Sequence, residues 1–143
     1  MDEIITTTIA PPDTSMPMQV MFEKSVSGLL RQGKQSTIPD IDGNNGSCFY
    51  RLNGLKCGIG FLIEDEFYTP KFEKQAVSSN PVLLSLFDSG VIPSITPNDF
   101  YKKYVLLKAI QDVHDTAKPS DWRNDFIKLA NDHDLNIDFL KDL

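Results

Sequence analysis

Basic charge is what this sequence has little of. Its 143 residues carry 14 Lys and Arg against 20 Asp and Glu, a formal net charge of −6, and the basic residues form no run. Affinity for a nucleic-acid backbone at physiological salt rests on clustered Lys and Arg. No direct nucleic-acid contact is expected. Long apolar stretches are also missing, and the opening residues MDEIITTTIAPPDTSMPMQ have no positively charged region. Neither a signal peptide nor a spanning helix is expected, so no membrane contact is either, and a cytosolic setting follows. Only two cysteines, Cys48 and Cys57, and two histidines, His114 and His133, are present. Two thiols without an export signal are read as reduced cysteines rather than as a disulfide framework. No internal repeat is visible.

What the chain does have is apolar material for a core, 41% hydrophobic and 10% aromatic residues, enough for one compact domain. Residues 1–15 are rich in Thr and Pro and read as a flexible leader, with at most one short edge strand around Ile4 to Thr8. Residues 16–143 read as a single globular domain. Met18, Phe22, Val26, Leu29 and Leu30 recur at helical spacing, and Gly33 suits the left-handed residue that ends a helix. The stretch STIPDIDGNNGS reads as a polar loop. Further on, Thr69-Pro70 is expected to open a short helix through Glu73, and Asn80-Pro81 another that Gly90 closes. Thr96-Pro97-Asn98-Asp99 resembles a capping box and predicts one helix from Pro97 to about Thr116. Pro119-Ser120 starts a helix with Trp122, Phe126, Leu129 and Ala130 in one stripe, and Asn136 caps a last turn through Leu140. The expectation is an α+β fold, a small antiparallel hairpin or sheet packed against four to five helices that are mostly C-terminal.

The hairpin is the stretch CFYRLNGLKCGIGFLIEDE, Cys48 to Glu66. Asn53-Gly54 is a strong turn signal, because both central residues of a type I′ turn need positive φ. Such a turn pairs Leu52 with Leu55, Tyr50 with Cys57 and Cys48 with Ile59. One pleat face then carries Cys48, Tyr50, Leu52, Leu55, Cys57, Ile59, Phe61 and Ile63. Gly58 and Gly60 fall on the other face, where a missing side chain lets another element approach. Cys48, Tyr50, Asn53, Gly54 and Gly60 are therefore the structural residues of the hairpin.

Diagonal placement across the hairpin puts Cys48 and Cys57 too far apart for an unstrained disulfide, and buried small hydrophobes is their simplest role. Two Cys and two His match the inventory of tetrahedral zinc, but no close pair exists to preorganise half a site, so no metal is expected. The sharper candidate is a nucleophilic site with Cys57 or Cys48 as thiolate, His114 as base and Asp115 as orienter. His114 lies beside Ile110 and Leu107 on its helix and so borders the core. Against this candidate, adjacent helical residues point about 100° apart, which would keep Asp115 from holding the ring of its own neighbour. The Gly-Ile-Gly of residues 58–60 lacks the rest of a dinucleotide fingerprint, and no cofactor is expected. The acids at Glu64 to Glu66 read as solvated charge.

The pattern Cys48-x-Tyr50-Arg51, Gly54-x-Lys56-Cys57, then Gly60-x-Leu62-Ile63-x-Asp65-Glu66, resembles a family of small proteins, most of them encoded by tailed bacteriophages. AIQDVHDTAKPSDWRNDFIKLANDHDLN is similar to that family's helix ending in His-Asp and its following helix opening with Trp. Gly58 stands where the family usually has Ala, and Glu64 where it usually has Pro. The resemblance implies a phage origin and a role in the cytoplasm of an infected bacterium, and it ties Cys48, Tyr50 and Cys57 to His114, Asp115 and Trp122. It implies no reaction. The expected function is a phage accessory protein that binds a host or phage protein, for host takeover or anti-defence. The alternatives are a cysteine-dependent enzyme acting on a host target and a virion or assembly component.

Overall fold

The computed structural model describes residues 14–37 and 48–143. The expected edge strand at Ile4 to Thr8, nearly all of the leader and most of the Ser36–Ser47 loop lie outside the described residues. The fold is α+β. Helix α1 spans Met18–Gln32, strands β1 and β2 are Arg51–Leu52 and Leu55–Lys56, and helices α2, α3 and α4 are Asn80–Asp88, Tyr101–Thr116 and Trp122–Asp132. Short 3-10 turns at Asp65–Phe67, Pro70–Phe72, Pro97–Phe100, Pro119–Asp121 and Asp138–Asp142 link and close these elements.

Most helix signals act as the sequence predicts. Gly33 ends α1 with φ 68° while its N–H donates to Leu29 O. Thr69 accepts from the Lys71 amide ahead of its 3-10 turn, and the Asn136 side chain accepts from the Asp138 amide at 2.7 Å before the last one. The expected helix from Pro97 is different. Pro97–Phe100 is a 3-10 turn, Phe100 (φ −139°, ψ 40°) interrupts it, and α3 begins at Tyr101. The capping box does not form, because Ser94 takes its parts: its hydroxyl donates to Asp99 Oδ2 at 2.7 Å and accepts from the Thr96 amide at 3.1 Å. Burial of Phe100 sets the break. Pro119 likewise opens a 3-10 turn, and α4 begins at Trp122.

The hairpin turn is where the sequence puts it. Arg51 pairs with Lys56 and Leu52 with Leu55, with Asn53 at φ 50° and Gly54 at φ 86°. The Cys57 amide donates to Tyr50 O at 3.1 Å, and there the ladder stops. Residues beyond Cys57 turn instead of continuing the strand, with Phe61 N–H donating to Cys57 O and Leu62 N–H to Ile59 O. Cys48 consequently pairs not with Ile59 but with Thr37, in an isolated bridge. Space explains the turn. A Cβ on Gly60 would sit 2.0 Å from the Tyr50 carbonyl oxygen, so only glycine allows the chain to fold back there. A Cβ on Gly58 would meet Ile110 at 2.5 Å and Ser25 at 2.9 Å, so α3 and α1 close directly onto the loop. The Ser25 hydroxyl donates to Gly58 O at 2.8 Å and ties it to α1.

Helices α1 and α3 divide the apolar interior. Phe22, Val26 and Leu29 of α1 and Leu106 and Ile110 of α3 pack with Trp122, Phe126 and Ala130 of α4. Met21 and Leu107, on the same two helices, pack instead with Tyr50, Cys57, Ile59, Phe72 and Leu86. Period-3.6 faces wide enough to touch both sides make this possible. The last turn of α3 thus sits beside the stretch entering the hairpin.

Candidate functional site

Three polar side chains meet at that junction. The ligand atoms of Cys48, His114 and Asp115 all lie within 4.8 Å of one another. His114 is fully buried and stacks on Trp122, with ring centroids 5.6 Å apart and planes inclined by 28°. Its Nε2 accepts from the Ser36 backbone N–H at 2.9 Å, so this nitrogen presents a lone pair. The proton of the neutral ring is therefore on Nδ1, 2.7 Å from Asp115 Oδ1, and is donated to that carboxylate. Asp115 does hold its neighbour's ring. The 100° separation of adjacent helical positions applies to the Cα–Cβ directions, whereas Nδ1 is the ring nitrogen nearer the backbone and a short carboxylate swings to meet it.

Asp115 is the hub. Besides the imidazole it accepts from Gln111 Nε2 at 3.1 Å and interacts by hydrogen bond with the Cys48 thiol. Burial, and after it the Asp115 charge and hydrogen bond, push the Cys48 thiol up to about 11. All three polar atoms lie within 4.8 Å of one another, and both the thiol and the imidazole hydrogen-bond to the carboxylate. In a thiol nucleophile the imidazole stands between the other two and takes the thiol proton. Here the thiol meets the Asp115 carboxylate, whose negative charge favours S–H over S⁻.

Among the sequence candidates, Cys57 is not the thiol whose sulfur joins His114 and Asp115; Cys48 is. Cys57 is fully buried, its Sγ accepts from the Gly60 amide at 3.4 Å, and burial pushes it up to about 12. Both cysteines are free thiols. Tyr50 is buried, its hydroxyl donates to Gln75 O at 2.5 Å, and desolvation raises its phenol strongly. Asn53, Gly54 and Gly60 shape the hairpin at a distance from this chemistry. His133 follows α4 and takes no part in it.

Sequence reasoning missed two residues. Glu73 accepts from the Tyr50 and Arg51 amides at 2.8 and 3.0 Å and from the Tyr68 hydroxyl at 2.6 Å, and so fastens β1 to the segment after Phe72. Ser36 sets the tautomer of His114 from 78 positions away. Neither has a local signal, because both act through contacts remote in sequence.

Cys, His and Asp form a plausible metal donor set by residue type. The hydrogen bonds oppose it. A ligating histidine binds through one nitrogen and donates the proton of the other, whereas here the ring proton is on the nitrogen that faces Cys48 and Asp115, donated to Asp115, and the remote nitrogen accepts. Ligation through Nδ1 would require displacing that proton and breaking the bond to Asp115. The three residues fit a hydrogen-bonded network better than a metal centre. No helix among the described residues is long and apolar enough to cross a membrane. No protein-family model matches the chain, and neither a curated protein nor a solved structure shows significant similarity to it.

Proposed function

We propose that the chain is an accessory protein of the kind tailed bacteriophages encode, and that it works by binding a host or phage protein in the bacterial cytoplasm. The observation that carries this reading over a thiol enzyme is that Cys48 and His114 both hydrogen-bond to the Asp115 carboxylate. It leaves the exposed side of the network with a protonated thiol and leaves the imidazole with both nitrogens engaged. Binding, by contrast, asks only for a shaped surface with a few anchoring side chains. Helix α2 supplies such anchors. It buries Val82, Leu83 and Leu86 and leaves Leu84 and Phe87, three positions apart, 49% and 43% exposed.

The test is capture from bacteria expressing the tagged protein, comparing wild type with Cys48→Ser, Cys57→Ser and a Leu84→Asp/Phe87→Asp double variant. A stoichiometric partner kept by both serine variants and lost by the double variant is expected. A covalently modified host protein that disappears with Cys48→Ser would overturn the reading in favour of an enzyme. Circular dichroism of each variant separates loss of partner from loss of fold.

A further inference from the structure

An open cavity of about 580 Å³ lies between α3 and the segment that follows Phe72, with Cys48 and Asp115 among its lining residues. That volume falls within the usual range of small-molecule sites, roughly 300–1,000 Å³. Of its charged groups, Asp115 is engaged by His114, Gln111 and Cys48, and three others stand outside that network. Lys74, Lys108 and Asp112 are exposed at its walls, and among the described residues none of the three enters an ion pair. Lys108 rests over the Tyr104 ring, 5.7 Å from its centroid.

Lys74 lines the cavity from a tight turn of the backbone. Glu73 has φ −62° and ψ 144°, Lys74 has φ 67°, and the Gln75 amide donates to Phe72 O at 3.1 Å. This is a type II turn, whose third position favours glycine. A lysine in that position carries conformational strain. Glu73 pins the turn through its two bonds to β1, so the strained residue stays at the cavity wall.

No arginine is among the described residues that line the cavity. A planar fork for bidentate carboxylate recognition is thus missing, while two lysine ammoniums suit a phosphate dianion as point charges. The Asp112 carboxylate and Ser78 hydroxyl, on the same lining, suit the hydroxyl groups of an organic body. We infer that this cavity binds a sugar phosphate, with the phosphate on Lys74 and Lys108 and sugar hydroxyls on Asp112 and Ser78. This inference is independent of the protein-binding reading, since α2 has no residue in the cavity.

Calorimetric titration of the full chain with ribose 5-phosphate, AMP, ribose and inorganic phosphate tests it, with alkylation of Cys48 as a second readout inside the cavity. Ribose 5-phosphate is expected to bind one per chain and to slow Cys48 alkylation, and ribose to do neither. Tighter binding of AMP would show that the sugar phosphate is recognised as part of a nucleotide. Lys74→Gly is expected to raise the melting temperature, by relieving the turn, while weakening binding about tenfold or more; Lys108→Ala should weaken it similarly. Absence of binding by both ribose 5-phosphate and AMP, inorganic phosphate binding as tightly as either, or Lys74→Gly binding like wild type would each overturn the inference.

Discussion

His114 donates its Nδ1 proton to the carboxylate of Asp115, its immediate neighbour in the chain, across 2.7 Å. Because Ser36 N–H already occupies Nε2, the imidazole is a fully satisfied buried group. Asp115 in turn presents its charge to Cys48. The constellation that suggests a nucleophile in one dimension is a carboxylate-centred network in three.

Asp115→Asn tests the role of the carboxylate. The amide removes the charge that favours S–H on Cys48, so the Cys48 thiol is expected to fall from about 11, and its alkylation near pH 8 to accelerate. The weaker acceptor should cost about 1–3 kcal/mol of stability. Slower alkylation in the variant would show that Asp115 activates the thiol instead.

Replacing the ring should cost more. His114→Ala removes the stack on Trp122 and strands the Ser36 amide, with an expected loss of roughly 3 kcal/mol or more in denaturant unfolding. His133→Ala, at a partly exposed helix end, should stay within about 0.5 kcal/mol of wild type. Equal effects at the two positions would contradict the network.

Two glycines should fail for different reasons. Gly54→Val forces a branched side chain toward positive φ in open space, at a cost of roughly 1–2 kcal/mol or more. Gly60→Ala places its Cβ against the Tyr50 carbonyl, so the backbone itself must move and the loss should exceed that of Gly54→Ala. Thermal melts of the three variants rank them. A harmless Gly60→Ala would mean the chain does not fold back at that point.

Alkaline pH should destabilise the fold through its thiols. Cys48 and Cys57 are raised from 9.0 to about 11 and about 12. Over that window the folded chain keeps protons that the unfolded chain releases, so stability is full below about pH 9 and falls as pH rises. Tyr68, raised to about 12, and Tyr50, raised further, add to the loss at higher pH by the same sign. Denaturant midpoints between pH 8 and 10 isolate the thiols: a Cys48→Ala/Cys57→Ala double variant, although less stable at neutral pH, should show a flatter profile there than wild type.

Much of the fold was legible because its causes are local. Asn53-Gly54, Gly33 and the Pro-initiated turns impose backbone angles on themselves and their neighbours, and the apolar spacing of α1 and α4 names their buried faces before any partner is known. The start of α3 is not legible for a related reason. Ser94 lies outside the four residues that make a capping box, and it outcompeted Thr96 for Asp99.

The turn at Asn53-Gly54, the end of α1 at Gly33 and the apolar stripes of α1 and α4 follow from the residues alone. Only the tertiary structure decided how far the hairpin ladder runs, which cysteine meets His114, and which nitrogen of that ring carries the proton. The ladder ends at Cys57 because Gly60 folds back onto the Tyr50 carbonyl. That fold leaves Cys48 to pair with Thr37, while the Ser36 amide beside it fixes the tautomer from 78 residues away. Turn angles are set by residues one or two positions apart, whereas a proton's place on a buried ring is set by whichever donor packing brings to its far side.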